Sequence, residues 1–197
     1  MQIKNAKFVK TVVNGKDILT ETKNEFAFVG RSNVGKSSLI NALTNQNKLA
    51  KTSSTPGLTK NLNYFSLNNG EFHIVDLPGY GYHKAGKNEE NKWSTLMEDY
   101  LLNSVNLKCV FVLLDCRHNP SELDKVMLSF LTYHNIPYVV VATKIDKISK
   151  SQLGITIEKL ANSVRLTKLN VLPVSSETKQ NLSLITDKME QFMKEDN

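Results

Sequence analysis

GRSNVGKSSLINAL, residues 30–43, sets Gly30 and Gly35 on either side of four residues and follows them at once with Lys36, Ser37 and a helical-looking run. The short apolar stretch before it, EFAFVG, reads as a buried strand. Strand, glycine-bounded turn and helix together form a cradle for phosphate: the glycines let backbone N–H groups turn inward, and the helix N-terminus adds partial positive charge. In such a cradle Lys36 reaches the β- and γ-phosphates and the Ser37 hydroxyl is a ligand for Mg²⁺. The residues expected to line it are Gly30, Arg31, Ser32, Asn33, Val34, Gly35, Lys36, Ser37 and Ser38. The cradle by itself does not separate adenine from guanine nucleotides.

Outward from this point, strand-like and helix-like segments alternate. LNYFSL and EFHIVDL flank NNG, a hairpin signal. LKCVFVLLD, PYVVVAT and NVLPVS read as strands, and residues 37–44, 89–103, 151–166 and 178–194 as helices. Pro120 opens a further helix running to about Tyr133, with Ser121 and Asp124 spaced as a capping box. The alternation predicts an α/β fold, a mixed and mostly parallel six-stranded sheet with helices on both faces. Residues 1–23 are polar and weakly patterned, with one candidate strand at AKFVKTVV. They are expected as an extension packed on or flanking a single domain over 24–197.

Two further motifs fall at predicted strand ends. Asp76, Leu77, Pro78 and Gly79 form DLPG; Asp76 is placed to hold Mg²⁺ through water and the Gly79 N–H to sense a γ-phosphate. Thr143, Lys144, Ile145 and Asp146 form TKID. A carboxylate only accepts hydrogen bonds. Asp146 suits the N1–H and 2-amino group of guanine, whereas adenine would set an acceptor against it and leave a charge unpaired. The stem of Lys144 can cover the base face. Backbone N–H groups around Val174, Ser175 and Ser176 are placed for guanine O6. The loop TSSTPGLTK should supply a threonine that binds Mg²⁺ and closes on the γ-phosphate, with Thr52, Thr55 and Thr59 as candidates.

The chain has 197 residues, a net charge of +6 and a pI near 9.2. Lysine supplies nearly all of the positive charge, since Arg31, Arg117 and Arg165 are the only arginines. A basic surface suits RNA. No apolar run approaches the roughly 20 residues of a membrane span, and the start lacks a signal-peptide pattern. A cytoplasmic protein is therefore expected, and a monomer without membrane or DNA partners is the accompanying expectation. Cys109 and Cys116 are too few and wrongly spaced for a zinc site or redox pair.

These motifs, together with KWSTLMEDYL, LLDCRHNPSELD and above all DLPGYGY, make nearly the whole chain resemble the EngB (YihA/YsxC) family within the TrmE-Era-EngA-EngB-septin-like GTPases. The resemblance implies a Ras-like, three-layer P-loop GTPase fold and a slow conversion of GTP to GDP and phosphate. It places the Mg²⁺-binding threonine at Thr59, beside Gly57 and Leu58, so that the metal set becomes Ser37, Thr59 and Asp76. Lys36, Thr59, Gly79 and Asn33 are the candidate catalytic residues; Asn33 matches a P-loop position at which related GTPases bind K⁺. It also implies a role in assembly of the large ribosomal subunit, through ribosomal RNA or proteins, with a linked requirement in cell division and septation. Tyr80 follows DLPG where side chains that position water are commonly Gln. The segment that begins at Gly79 carries Tyr80, Tyr82, His83, Lys84 and Lys87, an aromatic and basic set suited to RNA contact. A P-loop ATPase or nucleotide kinase, and a nucleotide-dependent binding module without turnover, are the alternatives.

Overall fold

A computed structural model describes residues 1–51, 61–81 and 95–194. Its elements are β1 (Ala6–Val12), β2 (Asn24–Gly30), α1 (Lys36–Thr44), β3 (Leu62–Leu67), β4 (Phe72–Asp76), α2 (Thr95–Asn103), β5 (Leu107–Asp115), α3 (Glu122–Tyr133), β6 (Tyr138–Thr143), α4 (Lys150–Ser163), β7 (Val171–Pro173) and α5 (Ser183–Lys194). The strands form one sheet in the order β1-β3-β4-β2-β5-β6-β7. β2 is its axis, paired in parallel with β4 on one side and β5 on the other. β6 and β7 continue in parallel, while β3 runs antiparallel to β4 and to β1.

The side chains of β2 explain its place. From Glu25 to Gly30 it is buried throughout, as a strand covered on both faces must be. Ala27 and Val29 point into a core shared with α2, α3 and α4, through residues such as Tyr100, Met127 and Leu160. Phe26 and Phe28 point the other way, into a core shared with α1 and α5, through Leu39, Ile40, Ile185 and Met189. The three layers follow from this alternation.

The sheet has seven strands rather than the expected six. The extra strand is β1, which comes from the segment read as an extension. Its pattern is weak because only Ala6 and Val12 are buried, while Lys7, Phe8, Val9 and Thr11 are exposed. What holds it is backbone pairing with β3 rather than an apolar face. Other boundaries move for local reasons. The hairpin turn uses Asn68, Asn69 and Gly70, all at positive φ (50°, 59° and 92°). α3 begins with the expected capping box between Ser121 and Asp124. α5 starts at Ser183 instead of 178 because Lys179 and Asn181 are left-handed (φ 57° and 60°), which a helix does not admit. The expected start of α2 near 89 lies outside the described residues.

The amino end of β2 holds a buried acid. Glu25 is 0% exposed. Its Oε2 accepts from the Tyr100 hydroxyl at 2.9 Å and from Ser104 Oγ at 3.1 Å, while Oε1 has no partner among the described residues. Burial pushes this carboxyl up to about 7, against the lowering influence of those hydrogen bonds. Stability from a carboxyl raised in this way is greatest at low pH and is lost as pH climbs from its ordinary value to about 7. Burial lowers the imidazole of nearby His73, which acts in the opposite sense, so the two must be separated by substitution. Glu25→Gln should gain on the parent by roughly 1–3 kcal/mol between pH 5 and pH 8, read from urea denaturation at each pH. An unchanged difference would mean that Glu25 does not titrate in this window.

Candidate nucleotide site

The carboxyl ends of β2, β4, β5, β6 and β7 lie along one edge of the sheet, and the sequence motifs leave the sheet there. Gly30 closes β2. A Cβ on it would lie 2.9 Å from both Leu113 O and Val34 Cγ1, so no larger residue fits. Asn33 (φ 64°) and Gly35 (φ 102°) are left-handed. Gly35 is the N-cap of α1 and brings no side-chain acceptor, so the opening N–H groups of the helix are left for an anion. Lys36 forms an ion pair with Asp76 Oδ1, the two side chains being 11% and 6% exposed. Two motifs far apart in sequence are thereby joined through opposite charges at neighbouring strand ends.

The DLPG segment is fastened to this turn by its backbone. Leu77 N donates to Phe28 O at 3.0 Å, Tyr80 N to Gly30 O at 3.3 Å, and Ser32 N to Tyr80 O at 3.3 Å. Gly79 packs so close that an added Cβ would meet Gly30 O and Ser32 N at 3.4 Å. Leu77 and Pro78 are buried. Tyr80 departs from expectation. Read as part of an RNA-facing set, it is instead 1% exposed, and its hydroxyl donates to Asp124 Oδ1 at 2.8 Å. The other oxygen of Asp124 accepts from Ser121 N and Ser121 Oγ, both at 2.7 Å. An amphipathic ring is better placed against the start of α3, with its hydroxyl satisfied, than in water. Burial, then the Asp124 carboxylate, keeps this phenol well above its ordinary range.

TKID is welded to the phosphate turn. Thr143 is buried, and its hydroxyl donates to Val34 O at 2.8 Å, with Leu114 O at 3.2 Å. Lys144 adopts φ 63°, an uncommon conformation for a side chain of its size. Its Nζ donates to Asn33 O at 2.8 Å and pairs with Asp115 Oδ2 at 2.9 Å. Ile145 is buried, and its N–H donates to Val174 O at 3.4 Å. Asp146 Oδ1 accepts from Ser175 Oγ at 2.6 Å, and Lys147 lies 3.1 Å from Oδ2. The Ser175 hydrogen bond leads the causes that hold the Asp146 carboxyl below its ordinary value. Ser175 N is already committed to Gln180 O at 3.1 Å, and Ser176 beside it is half-buried.

The structure thus brings Gly30–Ser38, Asp76–Gly79, Thr143–Asp146 and Val174–Ser176 to one edge. Arg31 and Ser38 are exposed, and Ser37 is half-buried in the first turn of α1. Gly57, Leu58 and Thr59, with Thr52 and Thr55, lie outside the described residues, as do Tyr82, His83, Lys84 and Lys87. Ser37 and Asp76 offer hard oxygen donors, which suit Mg²⁺ held by few protein ligands and completed by phosphate. No group of three His, Cys, Asp or Glu side chains is clustered to hold a metal among the described residues. Sequence reasoning gave no role to Asp115 or Arg117. They line a cleft of about 240 Å³ beside Asn33 and Lys144, and their only signal was the quoted stretch DCRHNPSELD.

Residues 25–144 match the family described as 50S ribosome-binding GTPase. A probable GTP-binding protein EngB of Clostridium kluyveri is 49% identical over 181 residues, 91% of each chain. Its counterpart in Desulforamulus reducens is 43% identical over 197 residues, 100% of this chain and 96% of that protein. Among solved structures, a probable GTP-binding protein engB is similar with a TM-score of 0.67 at 24% identity, covering 87% of this chain and 99% of that one. Era in complex with MgGDPNP and nucleotides 1506–1542 of 16S ribosomal RNA gives a TM-score of 0.62 at 24% identity, over 87% and 57% of the chains. These structural likenesses establish the fold.

Tyr80→Phe should destabilise the protein by about 1–2 kcal/mol, because Asp124 loses a buried donor. Asp124→Ala also removes the carboxylate half of the α3 capping box, which accepts from Ser121 N and Oγ, and should cost about 2–3 kcal/mol. The double variant should cost little more than Asp124→Ala alone, as urea denaturation of all four proteins will show.

Proposed function

The chain belongs to the EngB family of GTP-binding proteins, and from that membership we propose that it is a GTP-hydrolysing switch acting in the cytoplasm on assembly of the large ribosomal subunit, with normal division and septation depending on it. The observation that carries the nucleotide reading is the meeting, at one sheet edge, of the Lys36–Asp76 pair and the Asp146 carboxylate. Lys36 and the N–H groups opening α1 bind the phosphates. Asp146, kept ionised by Ser175, accepts from the N1–H and 2-amino group of guanine. Ser37 and Thr59, with Asp76 through water, would hold Mg²⁺, which when bound would offset the charge of the β- and γ-phosphates. Gly79, seated against Ser32, offers its N–H beside the phosphate turn.

Hydrolysis by the isolated protein is slow on this reading. Tyr80 follows Gly79 but is turned onto Asp124, so its hydroxyl does not orient water. Arg31, the one arginine in the phosphate turn, is exposed. Asn33 provides a place for K⁺, a substitute for the missing positive charge. The ribosomal partner rests on the family description and on the basic surface, whose lysines suit RNA phosphate.

Four measurements test the proposal. Unlabelled GTP, but not ATP, should displace labelled GDP; equal displacement would favour the ATPase or kinase alternative. Asp146→Asn should weaken GTP binding by about two orders of magnitude and improve XTP binding. Cosedimentation with large subunits should be stronger with a non-hydrolysable GTP analogue than with GDP and should weaken steeply with salt; indifference to nucleotide would remove the switch from the proposal. Phosphate release should be faster in KCl than in NaCl at equal ionic strength, and equal rates would remove K⁺.

A further inference from the structure

The end of β5 carries an interaction that the nucleotide reading leaves unused. Asp115 is the register partner of Thr143 across the β5–β6 pair, so its side chain leaves the sheet next to TKID. Both of its oxygens are occupied. Oδ1 accepts from Arg117 N at 3.1 Å and Arg117 Nε at 2.9 Å, and Oδ2 accepts from Arg117 Nη2 at 2.7 Å. The same Oδ2 lies 2.9 Å from Lys144 Nζ. A carboxylate gripped by a guanidinium fork and by a backbone N–H has little freedom to turn. Cys116 N, donating to Thr143 O at 3.2 Å, fixes the backbone on which it sits.

The consequence falls on Lys144. A lysine carries a flexible four-carbon stem and gives up rotamer entropy when its ammonium is held. Its ammonium, 26% exposed as a side chain, has one neutral partner in the site, Asn33 O, which alone is a weak tether. The fixed charge of Asp115 converts this into a two-point hold. We propose that Asp115 is a positioning residue for base recognition: it pins the Lys144 ammonium against the phosphate turn, so that the lysine stem is already laid in place as one wall of the base site before nucleotide arrives. Burial alone would raise the Asp115 carboxyl. The hydrogen bonds from Arg117 and Lys144 outweigh it and keep the group well below the ordinary range, so the hold persists throughout the neutral pH range. Preorganisation of this kind strengthens binding by sparing the ordering cost at the moment of association, and it is felt chiefly in the rate of release.

The inference rests on the guanine-nucleotide reading above and is tested by stopped-flow release of fluorescently labelled GDP and IDP from the full chain. Asp115→Asn, which keeps shape and removes charge, should release both about tenfold faster. The GDP-to-IDP ratio should stay at the parental value, because the lysine stem covers the ring face and does not read the 2-amino group. Lys144→Met, which keeps the stem and removes the ammonium, should accelerate release by the same factor, and it stands as a test even if Asp115→Asn folds poorly. In the Lys144→Met background, Asp115→Asn should add less than a twofold effect, whereas a residue that merely supports the β5–α3 turn would act equally in both backgrounds. Release from either single variant within twofold of the parent, or an undiminished effect of Asp115→Asn beside Lys144→Met, would overturn the proposal. Failure of the parent itself to retain labelled GDP would instead bring down the nucleotide reading on which it depends.

Discussion

The parallel pairing of β2 with both β4 and β5 is the constraint on which the rest of the molecule depends. Parallel strands end together, so the residues that follow Val29, Val75 and Leu114 emerge on one edge without any further instruction. Gly30, Asp76 and Asp115 are brought to that edge by strand direction, although Asp76 lies level with Phe28 and Gly30 with Leu113. β6, parallel to β5, adds Thr143 to the row. What the sequence must then supply is only the chemistry at each exit: a glycine where Leu113 O approaches too closely for a β-carbon, a carboxylate opposite Lys36, and a hydroxyl within reach of Val34 O. The site is a property of strand order first and of side chains second.

Its polar groups already have internal partners. Lys36 has Asp76, Asp146 has Ser175, and Lys144 has Asn33 O and Asp115. A buried charge without a partner would cost several kcal/mol, and these pairs meet that need within the chain. Groups held in place in this way strengthen binding by sparing the ordering cost at the moment of association.

The parts of the fold legible from sequence were those with strong local codes. The apolar runs of β2, β5 and β6, the Asn-Asn-Gly turn, and Ser121 with Asp124 each carry a signal within a few residues. The elements that drifted lacked one. β1 shows no clean alternation because its pairing with β3 is a backbone affair, and α5 starts late because Lys179 and Asn181 take left-handed conformations that nothing in their identity demands. In the site, the phosphate turn, DLPG and TKID were readable because spacing after a strand defines them. Tyr80 differs from expectation for a physical reason: a tyrosine beside basic residues suits RNA contact equally well on sequence alone, and only the tertiary partner Asp124 shows where its ring goes. Asp115 and Arg117 escaped because their meaning lies in Lys144, far along the chain, and no local pattern announces an interaction between two strand ends.

The outer strands of the sheet have a bearing on how copies of this chain meet one another. An uncovered strand is a template on which another polypeptide can extend a sheet. At one border stands β1, with a register irregularity between Phe8 and Lys10 and with lysines at positions 4, 7 and 10. At the other stands β7, only three residues long and ending in Pro173, which has no N–H to donate. Both borders are thus poor places for a neighbour to add on, one through charge and a break in the ladder, the other through brevity and a missing donor. Borders blunted in this way keep copies of a chain from joining edge to edge into fibres.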